Sequence, residues 1–208
     1  MNLNDIARCI NILGEFCGRR DVAALTGSEL AEKYGFRQAD VMVLFGGSIL
    51  CGGDVLAEAM LRRVAKKYII VGGAGHTTET LREKARMELP GLETAGLPEA
   101  KVFAGYLKLK YGLGPDYLEY ASTNCGNNIT YMLDLIDDNH ISFQSIILCQ
   151  DATMQLRTDA GLHKHCLDTY NQLRGIQCPC YGSGRETGLR KSYPGHVGCG
   201  AVYFAFDG

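Results

Sequence analysis

Four short stretches of the chain concentrate the groups that could do chemistry. Residues 122–128 read Ser-Thr-Asn-Cys-Gly-Asn-Asn, six small polar or thiol side chains and a glycine. A helix cap needs one such residue to satisfy an orphan backbone donor, so the others call for a second reason. Residues 72–77 read Gly-Gly-Ala-Gly-His-Thr, residues 150–153 Gln-Asp-Ala-Thr, and residues 45–48 Phe-Gly-Gly-Ser. Each follows a short apolar, β-prone run.

The chemistry differs from stretch to stretch. Glycines at Gly46, Gly47 and Gly73 let a bound group approach the backbone, and a helix N-terminus offers free N–H groups and partial positive charge. The 72–75 run therefore reads either as an anion or nucleotide cradle or as a tight strand-to-helix turn. It lacks the third glycine of a dinucleotide fingerprint, and no GxxxxGK[ST] phosphate loop occurs anywhere. His76 could bond a ligand, relay a proton or sit at the surface as a cap. Asp151, placed directly after an apolar strand, either caps the next helix or contacts a ligand. Arg157, one turn further, has the planar donor fork that suits carboxylate or phosphate, and a salt bridge would use it equally well. Thr123, Asn124, Asn127 and Asn128 supply neutral donors and acceptors of the kind that recognise ribose and base edges. Ser122, Thr123 and Cys125 have no identifiable base beside them, so binding is favoured there over nucleophilic catalysis.

The elements that must position these stretches follow from hydrophobic period. Apolar runs at 40–45, 68–71, 117–121 and 145–150 are expected strands. Helical spacing marks 4–17, with Ile6, Ile10, Leu13 and Cys17 on an inward face, and 29–34, capped by Ser28. Further helices are expected at 54–67, with Val55, Ala59, Leu61 and Val64 inward, at 77–88, at 99–111, after the 122–128 stretch as far as Asp138, and at 153–167. Two further β-prone pieces occur at 177–181 and 200–206. Strands that alternate with helices, and are apolar throughout, belong to a parallel sheet covered on both faces. The expected fold is α/β, a Rossmann-like, doubly wound, mostly parallel sheet over residues 38–208, with N-terminal helices 1–37 packed on that core. In such a sheet all four stretches emerge at the carboxyl edge, where ligands bind.

Composition narrows the function. A net charge of −2 with no basic block argues against nucleic acid and anionic membranes. Neither a signal peptide nor an apolar run of bilayer length is visible, so a cytoplasmic protein is expected. Nine cysteines without framework spacing read as reduced thiols. A zinc site built on Cys178 and Cys180 with Cys166 or Cys199 matches no common spacing, and no metal is expected.

Together, the 122–128 run, the Gln-Asp-Ala-Thr-Met-Gln-Leu-Arg run at 150–157 and the Gly-Gly-Ala-Gly-His-Thr-Thr run at 72–78 resemble the bacterial YdcF-like family. That group has no assigned function and includes the SanA and ElyC envelope proteins. The resemblance spans roughly residues 38–160 and fades after about 175. It implies a Rossmann-like fold with a pocket formed by Gly46, Gly47, Gly73, His76, Glu99, Thr123, Asn124, Asn128, Asp151 and Arg157, and an association with S-adenosylmethionine. Many relatives carry Glu where this chain has Asn127, so no acid is carried over at that position. Two functions are expected from these readings. One is binding of a nucleoside-type small molecule such as S-adenosylmethionine. The alternative is a hydrolase or transferase acting on a phosphorylated metabolite or polyprenyl phosphate, with Glu99, Asp151 and His76 as the groups that handle protons. A homodimer is compatible with either.

Overall fold

The computed structural model of the chain describes residues 2–166 and 174–177. The β-prone piece at 200–206 and the Cys178, Cys180 and Cys199 thiols lie outside the described residues. Seven helices and five strands follow in the order α1 (Leu3–Cys17), α2 (Gly27–Tyr34), β1 (Ala39–Phe45), α3 (Gly52–Leu61), β2 (Ala65–Val71), α4 (Thr78–Glu88), α5 (Glu99–Tyr111), β3 (Tyr117–Glu119), α6 (Cys125–Asp138), β4 (Ser145–Cys149), α7 (Gln155–Cys166) and β5 (Arg174–Gln177).

All strand pairs are parallel, in the order β3-β2-β1-β4-β5. This is the doubly wound, Rossmann-like arrangement. The chain leaves β1 towards β2 on one side and returns to pair β4 on the other, so the order reverses between β1 and β4. The crevice outside those strand ends is where such sheets bind ligands. Alternation along β1 shows how the two faces are covered. Met42 and Leu44 join a core with Leu56, Phe103, Tyr106 and Leu30, while Val41, Val43 and Phe45 join a second with Ile129, Met132, Ile136 and Leu162. Helices α3, α4 and α5 thus seal one face, and α6 and α7 the other.

Several expected boundaries shift for local reasons. The helix expected at 54–67 ends at Leu61, which is exposed, and not buried as its spacing suggests. Arg63 takes a left-handed φ of 53°, and Ala65 and Lys67 then pair with Ala39 and Val41 as strand. Pairing with β1 overrides the helical propensity of Lys66 and Lys67. Thr26, not Ser28, caps α2, its Oγ1 accepting from Glu29 N at 3.2 Å. Of the N-terminal helices, α2 packs on the core through Leu30, whereas α1 buries no residue. Ile6, Ile10 and Leu13, expected to face inward, are exposed.

Helices α3, α4 and α5 are tied by one polar cluster. The Tyr106 hydroxyl lies 2.7 Å from both Asp54 Oδ1 and Glu88 Oε1, and Lys110 Nζ bridges the same carboxylates at 3.0 and 2.7 Å. Burial and the two acids push the Tyr106 phenol far above its ordinary pKa, so it stays a donor. Replacing Tyr106 with Phe removes that donor between two carboxylates. The expected loss is about 1–2 kcal/mol, read from the urea midpoint at unchanged slope.

Candidate functional site

The carboxyl edge of the sheet is assembled from backbone contacts between strand ends. Beyond β1, Gly46 N donates to Val71 O at 2.6 Å; beyond β2, Gly72 N donates to Glu119 O at 2.9 Å. The first turn of α5 completes the edge. Its cap residue is Pro98, which offers no side-chain acceptor, and the free N–H groups of Glu99 and Ala100 instead donate to Gly73 O and Gly72 O at 2.9 and 2.8 Å. Strand-end carbonyls cap the helix, and Glu99 is thereby seated inside the sheet edge.

Glu99 is 8% exposed. Its Oε1 accepts from Thr78 Oγ1 at 2.9 Å and Thr77 Oγ1 at 3.2 Å. Its Oε2 lies against Gly46, where an added Cβ would come within 2.5 Å of it. Burial raises the Glu99 pKa above the ordinary carboxylate value, opposed by the two threonine hydroxyls and by the charges of His76 and Arg82. Gly46 is therefore required by close approach.

The loop after β3 is held from beneath by Glu119, which sequence reasoning missed. Its carboxylate is buried and accepts from Ala121 N at 2.6 Å, Ser122 N at 2.9 Å and Ser122 Oγ at 2.5 Å. Ser122 in turn presses on the β2 loop so closely that a Cβ on Gly73 would collide with its carbonyl oxygen. Asn124 caps α6, its Oδ1 accepting from Asn127 N at 3.0 Å. The helix N-terminus so formed opens on the edge.

Two glutamines order the loop after β4. Gln155 is fully buried, accepting from Gln150 N at 2.9 Å and donating to Leu148 O at 3.1 Å. Gln150 accepts from Asp151 N at 2.8 Å. Asp151 divides its carboxylate between the two roles open to it. Oδ1 accepts from Thr153 N at 2.9 Å and holds the turn into α7, while Oδ2 points back towards Gly47 across the crevice. That turn delays the start of α7 to Gln155 from the expected 153.

These loops enclose a cavity of about 340 Å³, within the range of small-molecule sites. Gly46, Gly47, Gly73, His76, Glu99, Thr123, Asn124, Asn128 and Asp151 all line it, joined by Ser48, Ile49, Gly75, Thr77, Ser122, Cys125, Gln150, Thr153 and Met154. Asn128 makes no side-chain hydrogen bond among the described residues, leaving its amide available. Two expected residues stand apart. Asn127 turns its side chain to Asn124 and does not line the cavity. Arg157 is exposed and outside it. Gln155 fixes the buried side of α7, and two residues on, about 200° around the helix, a side chain points away. The buried glutamines and Glu119 carry no spacing signal, since polar residues in apolar runs become informative only once their partners are known.

Among the described residues no Lys or Arg lines the cavity; the formal charges there come from Glu99 and Asp151, with the His76 imidazole beside them. Among the described residues no group of three or more His, Cys, Asp or Glu side chains could hold a metal ion, and Cys9, Cys17, Cys51, Cys125 and Cys149 are free thiols. No described helix is long and apolar enough to cross a membrane. No protein-family model matches the chain.

Two outcomes follow. Gly73→Ala should destabilise the fold by about 1–3 kcal/mol, because backbone and not a flexible side chain meets the new Cβ; chemical denaturation measures this. Glu99→Gln should raise stability at neutral pH and less so near pH 4.5. With its folded pKa raised, Glu99 favours the native state below its unfolded pKa, and that contribution is lost as pH rises through the folded value. The gap between variant and wild-type melting temperatures should therefore widen as pH climbs.

Proposed function

We infer that the chain is a small-molecule-binding protein of the YdcF-like type, taking a nucleoside-type ligand such as S-adenosylmethionine in the cavity at the carboxyl edge. One observation carries this: among the described residues two carboxylates face the cavity and no Lys or Arg does. Carboxylates accept from ribose hydroxyls and attract a sulfonium or ammonium centre, and they repel a free phosphate. The Asn128 amide, the Thr123 hydroxyl and exposed backbone suit base and sugar edges. Position supports the same reading, since the cavity lies where strand order reverses. Any chemistry would draw on Glu99, whose pKa burial raises, with His76 at the α4 start and Asp151 opposite.

A second reading is favoured by the α6 N-terminus. Its first free N–H groups, beside Thr123 and Asn124, suit an anion, as a hydrolase or transferase of a phosphorylated metabolite would require. A divalent cation would then have to offset Glu99 and Asp151.

Thermal unfolding with S-adenosylmethionine, adenosine, inorganic phosphate and phosphate plus Mg²⁺ separates the two. S-adenosylmethionine at 100 times its Kd should add about 2.7 kcal/mol, a shift of roughly 5–11 °C at this chain length. Asn128→Ala should abolish that shift without lowering the unliganded midpoint. Stabilisation by phosphate with Mg²⁺ and none by S-adenosylmethionine would overturn the nucleoside reading in favour of the second.

A further inference from the structure

Helix α4 starts with two threonines whose hydroxyls leave their own helix. Thr77 holds the N-cap position, where a threonine side chain ordinarily accepts from a backbone N–H of the first turn, and it makes no such bond. Its Oγ1 donates instead to Glu99 Oε1 at 3.2 Å, and Thr78 Oγ1 donates to the same oxygen at 2.9 Å. The direction of the second bond is fixed. Thr78 Oγ1 accepts from Gly75 N at 2.8 Å, and because an N–H can only donate, the hydroxyl proton is left for Glu99. Thr78 is 2% exposed and stands outside the cavity lining, whereas Thr77 lines it.

The two hydroxyls fill both lone-pair sites of Glu99 Oε1. Oε2 has no hydrogen-bond partner among the described residues and is not sealed from solvent. It lies over the ends of β1 and β2, where a Cβ on Gly46 would stand 2.5 Å from it and one on Gly72 3.3 Å. When Glu99 takes up a proton, Oε1 has no lone pair to spare, so the proton sits on Oε2.

We propose that Thr78 is a positioning residue for the cavity: its hydroxyl, locked as a donor by Gly75, holds Glu99 by Oε1 and presents Oε2 to the ligand as the atom that gains or loses the proton. Glu99 thereby offers a single-atom contact whose sense can change. Ionised, Oε2 accepts from a ribose hydroxyl or faces a cationic centre; protonated, it donates to a carbonyl or a ring nitrogen. This deepens the small-molecule reading and rests on it for what occupies the cavity, not for how Glu99 is held. The charges bearing on Glu99 come from His76 and Arg82, which with the two threonines oppose the effect of burial. Asp151 lines the same cavity from the loop after β4.

Carbon-13 NMR of the unliganded full chain, labelled at the glutamate carboxyls, tests the assignment; the Glu99 resonance is the one lost in Glu99→Gln. In the wild type it should titrate above the ordinary glutamate range. Thr78→Val should move that titration up by roughly one pH unit, because a hydroxyl bond to the ionised form is lost. Thr78→Ser, which keeps the hydroxyl, should return it to the wild-type position. Thr77→Val, which leaves the Gly75 bond in place, should move it the same way by less. An unmoved titration in either valine variant, a serine variant that behaves like the valine, or a larger response at Thr77 than at Thr78 overturns the proposal. Saturating S-adenosylmethionine adds a second arm. A ligand that reaches Oε2 should lower the wild-type titration, and one that stabilises the fold but leaves the titration unmoved also overturns the proposal. Failure of S-adenosylmethionine to bind overturns the nucleoside reading alone, since the variant series is read without it.

Discussion

The carboxyl edge depends on one contact: the carbonyls of Gly72 and Gly73 accept the first free N–H groups of α5. A helix start must find acceptors, and here Pro98 supplies none, so the strand end does. The contact fixes α5 against β2, draws a carboxylate into the sheet edge at Glu99, and forces the neighbouring positions to be small. Gly46 has no room for a Cβ because Glu99 is there; Gly73 has none because the β3 loop closes over it.

Around that contact, buried polar groups form a fully bonded layer beneath the cavity. Glu119, Gln150 and Gln155 spend their capacity on loop backbone, which makes the loops rigid without exposing charge to the ligand. In a low-dielectric interior such bonds are strong, and any one left unmade is costly. Among the described residues Glu99, Asp151, Asn128, His76 and a few hydroxyls keep unspent capacity towards the cavity. The site is consequently negative and rich in hydrogen bonds, and its selectivity follows from which groups the layer beneath has left over.

Helix α1 obeys a different constraint. It contacts α7, with Ala7, Asn11 and Gly14 among its less exposed residues, and turns its apolar arc outward, so within the protomer it lacks the burial that holds the other helices. The same residues that suggested an inward face by their spacing have the right pattern and the opposite placement. Periodicity reports that a face is apolar; it does not say whether the cover comes from the same chain.

By itself, the sequence determined the fold class, the order of elements and the four loops of the site. Runs such as Val41–Phe45 or Ser145–Cys149 are apolar on both faces, and a glycine or small polar residue ends each one. Helix α5 and the need for a cap within 122–128 were legible for the same reason, because caps and period are local; that Asn124 is the cap is a finding of the structure. Tertiary structure decided the rest. It cut α3 short by pairing Ala65 with Ala39, turned Arg157 away through Gln155, divided the Asp151 carboxylate between turn and cavity, and recruited Glu119 as the support of the β3 loop. Each of those depends on partners distant in the chain or on a side chain's direction around a helix. Local propensity and spacing carry no term for either, and only the closed sheet and its packed helices supply it.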